Sequence, residues 1–170
     1  MSPTTQIHTA EEIAHVMAIR DVAMRYAHGV DRLDGDWMKA AYWPDAIDDH
    51  GVFVGNAWEF VDRCMESHVR WRSTMHCIFN HQIDLDGPDA ARGEVYNITY
   101  LFHADGSAAD IWVGRYLDTY ERRGDEWRIL HRVCVHEGTT TSVAPPMPIP
   151  AERFRQGGFD RPSAARAIGP

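Results

Sequence analysis

The chain has 170 residues, 44% hydrophobic and 25% charged, with a formal net charge of −8. That length suits one compact domain with a real core, and the acidic balance, with scattered arginines and Lys39 the single lysine, argues against a nucleic-acid partner. Cys64, Cys77 and Cys134 are odd in number and lack CxxC spacing, which argues against a disulfide framework or a zinc knuckle.

The opening residues MSPTTQIHTAEE carry neither a basic stretch nor an apolar one, so no signal peptide is expected. No apolar run approaches the length of a membrane span. A soluble, cytoplasmic protein is expected. Thr9-Ala10-Glu11-Glu12 reads as a capping box. Ile13, Val16, Met17, Ala23, Met24 and Ala27 then recur at helical spacing, which predicts an amphipathic helix through about residue 28. Gly29 weakens its end. A second, shorter helix is predicted from Asp36 to about Tyr42, stopped by Pro44. Residues 45–54 read as a short strand or extended loop, and Asn56 as the cap of a third helix carrying Trp58, Phe60, Val61, Met65 and Val69.

The second half changes period. Residues 74–85, 92–103, 109–121 and 127–136 are β-rich, and Asp86-Gly87-Pro88-Asp89, Ala104-Asp105-Gly106 and Arg123-Gly124-Asp125 punctuate them as turns. Helices followed by an antiparallel meander predict an α+β domain over 1–138 with helices on one sheet face. Residues 139–170 form a Pro/Gly/Ala-rich tail without periodicity. No GxGxxG, GxxxxGK or GxSxG occurs, so nothing supports a nucleotide cofactor or a serine nucleophile.

The chemistry-bearing order is Tyr26 and Asp31 at the end of the first helix, then His76 on a strand. A carboxylate that orients and charge-pairs an imidazole makes it a competent base near neutral pH, and a nearby phenol can donate a hydrogen bond or a proton. Together these point to proton abstraction without a cofactor or metal. On an ideal helix Tyr26 lies about 140° around from Asp31, since five residues advance roughly 500°; the two converge only if the helix loosens near Gly29. A core tyrosine is the alternative.

YAHGVDRLD (26–34), DDHGVFVG (48–55), TMHCIFN (74–80) and GRYLDTYERRGDEWRILHRV (114–133) resemble the SnoaL-like family of the cystatin-like, nuclear transport factor 2-like superfamily. The resemblance covers residues 9–137 in order. It implies a cone-like, curved antiparallel sheet wrapped around the N-terminal helices, with a deep pocket. It also implies a cofactor-free lyase of dehydratase or dehydrohalogenase type. Isomerisation by the same dyad is one alternative, and a non-catalytic binding or dioxygenase small-subunit-like scaffold is another. Asp31 and His76 match the superfamily's helix-borne aspartate and strand-borne catalytic histidine. Tyr26 matches a tyrosine of one of its lyases, Arg132 an active-site arginine of another, and Asn80 the HxxxN pattern. A homo-oligomer, trimer or dimer, is implied as well.

Some of these residues have duller readings. Arg132 would otherwise pair with Glu137 or Asp118 at the surface, and Asn80 would hold a backbone turn or His76. His76 and His81, five apart on a strand, point to opposite faces unless a bulge intervenes. Asp45, Asp48, Asp49 and His50 read as a solvated strand edge. The substrate expected is a hydrophobic cyclic small molecule. Of the many aromatics most must be core, and Trp43, Phe53, Trp112 and Tyr116 are the candidates to line its pocket, beside Asn80.

Overall fold

The computed structural model describes residues 8–143, 150–154 and 157–159. Most of the 139–170 tail lies outside those residues, although the last strand continues past Gly138 to Ser142. Helix α1 (Ala10–Arg32) opens on the capping box: Thr9 accepts from the Glu12 backbone and Glu12 from the Thr9 backbone. It runs without a break through Gly29 and ends at Leu33 in the left-handed conformation. Gly29 does not loosen the helix. Instead it lets α2 (Gly35–Lys39) approach: a Cβ there would lie 2.5 Å from the Met38 backbone nitrogen.

Asp34 caps α2, accepting from Trp37 N at 3.0 Å. The helix stops before the expected Tyr42, because Tyr42 already belongs to β1 (Tyr42–Asp49) and pairs with Ile129. Pro44 therefore sits within a strand, in the stretch between Tyr42 and Ile47 where the β1 register shifts and its missing N–H costs no ladder bond. β2 (Val54–Asn56) follows, then α3 (Ala57–His68), capped by Asn56 as expected.

Four long strands complete the domain: β3 (Trp71–Leu85), β4 (Ala90–His103), β5 (Ala109–Arg123) and β6 (Glu126–Ser142). They form the expected antiparallel meander, and β1 adds to β6 in parallel, giving the order β2-β1-β6-β5-β4-β3 in a curved, unclosed sheet. α1 packs on β3 and β6, and α3 on β1. The core between helices and sheet includes Ile19, Val22, Val30, Met38, Val61 and Val95, each at most 1% exposed. Two irregularities aim side chains. A bulge between Ile78 and His81 turns His81 back to the inner face, where it meets Tyr120. A second, beside Leu130, brings Arg132 and Cys134 inward.

Candidate active site

β3 is the last strand of the sheet, so its outer edge has no neighbouring strand to accept its N–H groups. The C-terminal turn of α1 docks there and supplies Asp31 as an acceptor. One carboxylate oxygen accepts from the His76 backbone at 2.8 Å. The other accepts from the Thr74 hydroxyl at 2.8 Å and lies 2.7 Å from His76 Nδ1. Burial alone would raise the Asp31 pKa, but the hydrogen bonds and charge of His76, with that of Thr74, hold it below the usual carboxylate value. Asp31 is thus ionised and immobile, and it fixes the imidazole so that Nε2 is the ring nitrogen left for a substrate. The expected pair is assembled, with the side chains of His76 and Asp31 only 8% and 13% exposed.

Tyr26 reaches the same place without any loosening of α1. Its ring meets the His76 ring edge-on at 6.3 Å, because the imidazole lies between the directions in which Tyr26 and Asp31 project. Tyr26 also packs edge-on against Tyr116 at 5.7 Å. Burial raises the pKa of both phenols well above 10, so both stay protonated and can only donate or accept hydrogen bonds as neutral groups. Arg132 is fully buried behind these rings rather than at the surface. Its guanidinium carbon lies 3.9 Å from the Tyr116 ring centroid and 4.4 Å from that of Tyr26. Two nitrogens bind both oxygens of buried Asp118 at 2.8 and 2.7 Å. Glu137 pairs with Arg115 instead.

In front of the tyrosines lies a solvent-open cavity of about 780 Å³, within the ~300–1,000 Å³ range of small-molecule sites. Its depth is mostly apolar, with Val30, Phe60, Leu101 and Trp112 beside Tyr26, Tyr116 and His76. Trp112 can fold over the sheet because residue 114 is glycine: a Cβ there would meet its ring at 2.2 Å. Of the expected lining residues, Phe53, Trp112 and Tyr116 are in the wall. Trp43 and Asn80 are not, and neither is Arg132, the expected active-site arginine. Trp43 lies between the guanidiniums of Arg123 and Arg128 and donates to the Glu121 carbonyl at 2.9 Å. Asn80 falls in the β3 bulge and is exposed. Buried Cys64 and half-buried Cys134 also line the cavity. Burial lifts both thiols to about 12, which rules out a resting thiolate.

The acidic run 45–50 is not one solvated edge. Asp45 pairs with Arg123 at the surface, but Asp48 is fully buried and His50 lines the cavity. The available signal was strand alternation, which puts residues 48 and 50 on one face. Among the described residues no three His, Cys, Asp or Glu side chains are grouped as a metal ion would need.

Two further inward histidines resist protonation. Burial lowers His68, in the cavity wall, to about 4, helped by the charge of His76, and burial likewise lowers His81 to about 4. Both folded values lie below the ordinary 6.5, so the unfolded chain binds more protons in that interval. The stability they contribute is complete above about pH 6.5 and is lost as pH falls toward 4. Asp31 adds nothing in this window, because its depressed value makes its contribution fade only at lower pH. The midpoint of thermal unfolding is expected to fall by several degrees between pH 7 and pH 5, and less so in His68→Gln. A melting series flat across that range would contradict half-buried histidines held neutral by the fold.

A SnoaL-like domain family profile matches residues 11–133. No curated protein matches the chain by sequence. Among solved structures, a type 2 hexachlorocyclohexane dehydrochlorinase is 18% identical with a TM-score of 0.73, covering 83% of this chain and 97% of its own. A hexachlorocyclohexane dehydrochlorinase from Novosphingobium barchaimii is 19% identical with a TM-score of 0.72, covering 82% of this chain and 98% of its own. A scytalone dehydratase-like protein from Novosphingobium aromaticivorans is 16% identical with a TM-score of 0.71, covering 92% and 100%. At these identities the structures establish a shared fold.

Proposed function

The chain belongs to the SnoaL-like domain family, and from that premise we propose that it is a cofactor-independent lyase acting on a hydrophobic cyclic small molecule. His76 removes a proton from carbon next to a carbonyl or other electron-withdrawing group, and a group on the adjacent carbon then leaves. The observation that carries this reading is the Asp31–His76 contact of 2.7 Å at the wall of a mostly apolar cavity open to solvent at its mouth. The carboxylate stabilises the imidazolium that forms. The apolar side chains beside His76 limit the water that can compete for the base, and the neutral Tyr26 hydroxyl is a donor to the developing enolate oxygen. The dehydrochlorinase and dehydratase-like neighbours are consistent with an elimination. Return of the proton to a different carbon would make the same machinery an isomerase.

The shared first step is testable before the natural substrate is known. In D2O the protein is expected to catalyse deuteration of 1-decalone beside its carbonyl, followed by mass spectrometry. No acceleration over buffer, with 1-decalone shown to bind, would sink the proton-abstraction reading and leave a binding protein. The active sample is expected to sediment as a homo-oligomer. The exposed Met75, Phe79, Tyr96, Val113 and Leu117 on β3, β4 and β5 offer it an apolar contact surface. A purely monomeric active species would refute that part. No helix among the described residues is long and apolar enough to cross a membrane.

A further inference from the structure

The cavity holds a second imidazole–carboxylate pair. Asp48, on β1, is fully buried, and its two oxygens are both engaged. One accepts from the Tyr42 hydroxyl at 2.7 Å, and the other contacts His50 Nδ1. The His50 ring is stacked on Phe60 at 4.1 Å with an interplanar angle of 18° and faces Tyr116 at 6.0 Å. Its backbone is pinned as well: His50 N donates to the Phe53 carbonyl at 2.9 Å, and Val52 N donates to the His50 carbonyl at 2.8 Å. The side chain is 16% exposed. Nε2 has no partner among the described residues, and His50 lines the same cavity as His76. Four elements therefore cooperate to hold one imidazole rigid with one nitrogen free. A solvated edge histidine needs none of this.

Resting on the proposed function, we propose that His50 is the catalytic acid that protonates the leaving oxygen, with Asp48 its positioning residue, so that the substrate loses water rather than halide. The chemistry separates the two leaving groups. Halide departs as a stable weak base and needs at most a nearby cation. Hydroxide departs poorly unless it is protonated as the carbon–oxygen bond breaks. The cation that could receive halide in the depth of the cavity, Arg132, is locked to Asp118 behind the Tyr116 and Tyr26 rings. The wall's other guanidiniums, Arg63 and Arg70, are exposed and stacked on Phe53 and Trp71. Of the wall's other imidazoles, His68 and His136 contact Ser67 and Thr139, and only His50 is held by a carboxylate among the described residues.

In the step, His76 Nε2 takes the proton beside the carbonyl, and that electron pair becomes the new carbon–carbon double bond. The β carbon–oxygen bond breaks toward oxygen, which takes the proton from His50 Nε2 and leaves as water. Solvent then returns a proton to His50 and accepts one from His76. The products are one enone and one water.

The test compares 3-hydroxy-1-decalone with 3-chloro-1-decalone, both yielding the same enone. His50→Gln is expected to lower the hydroxyl-to-chloride rate ratio by about 10²–10⁴-fold, and Asp48→Asn to lower it by a smaller factor. His76→Ala is expected to depress both rates and leave the ratio near wild type. A His50→Gln ratio equal to wild type overturns the acid assignment while leaving the base intact. If neither ketone is turned over, or if His50→Gln fails to fold, the wild type labelled with 15N-histidine is titrated with 2-decalol. A shift of the His50 Nε2 resonance supports the assignment, and binding that moves the His76 resonances but not His50 overturns it.

Discussion

His76→Ala is expected to lose about 10²–10⁴-fold of the proton-abstraction rate with little loss of fold. The substitution removes the base but not the anchoring around it. Asp31 still accepts from the residue-76 backbone N–H and from the Thr74 hydroxyl, so α1 stays docked on the edge of β3. Asp31→Asn makes a different change. It keeps the shape but presents a neutral amide, one end of which can donate to His76 but cannot balance an imidazolium. Its rate should fall by a comparable factor, and the fall should grow as the step demands more charge on the ring. Deuterium incorporation into 1-decalone gives the rates, and circular dichroism with thermal melting gives the fold. A His76→Ala protein that exchanges as fast as wild type would mean that the dyad is only a docking contact between helix and strand.

The same three hydrogen bonds secure the fold and orient the ring. The sequence carries the pair through its resemblance, and it carries the alternation that put Thr74 and His76 on one face. The capping box at Thr9, the Asn56 cap and the four-strand meander are local signals, and they survive in the structure. What local pattern does not specify is register across bulges. Strict alternation sends Asn80 to the same face as His76 and His81 to the other, and the bulge at 78–81 reverses both. Tyr26 illustrates a different limit. A helical wheel measures the angle between two side chains, not whether a third, here His76, fills the space between them.

Charge patterning misleads at Asp48 for a related reason. An acidic run reads as solvated unless the fold supplies a partner for each oxygen, and here Tyr42 comes from the far end of β1 while His50, at the end of the run itself, folds back from the turn. Trp43 shows the reverse case, an aromatic expected at a ligand that is held between Arg123 and Arg128. The aromatic count of a chain says how much apolar ring must be covered, and leaves open whether core, cation or ligand covers it.

The second large effect expected is on stability. Arg132 and Asp118 are both fully inaccessible, joined by two hydrogen bonds, and Asp118 also accepts from the Tyr120 hydroxyl at 2.8 Å. Burial opposes the charge on Arg132, but the Asp118 carboxylate outweighs it and raises the guanidinium's pKa further. Removing the cation alone strands an anion in the core, so Arg132→Met is expected to cost about 3–5 kcal/mol, a drop in midpoint on the order of 10 °C. Tyr26 and Tyr116 rest on the guanidinium, so the cavity floor should loosen too, and their near-ultraviolet dichroism should weaken. The double variant Arg132→Met with Asp118→Leu leaves no stranded charge, and its loss should be well below the sum of the single losses. Additive losses would show that the two charges are independently solvated in solution, and the floor of the cavity would then be more open than the buried pair implies.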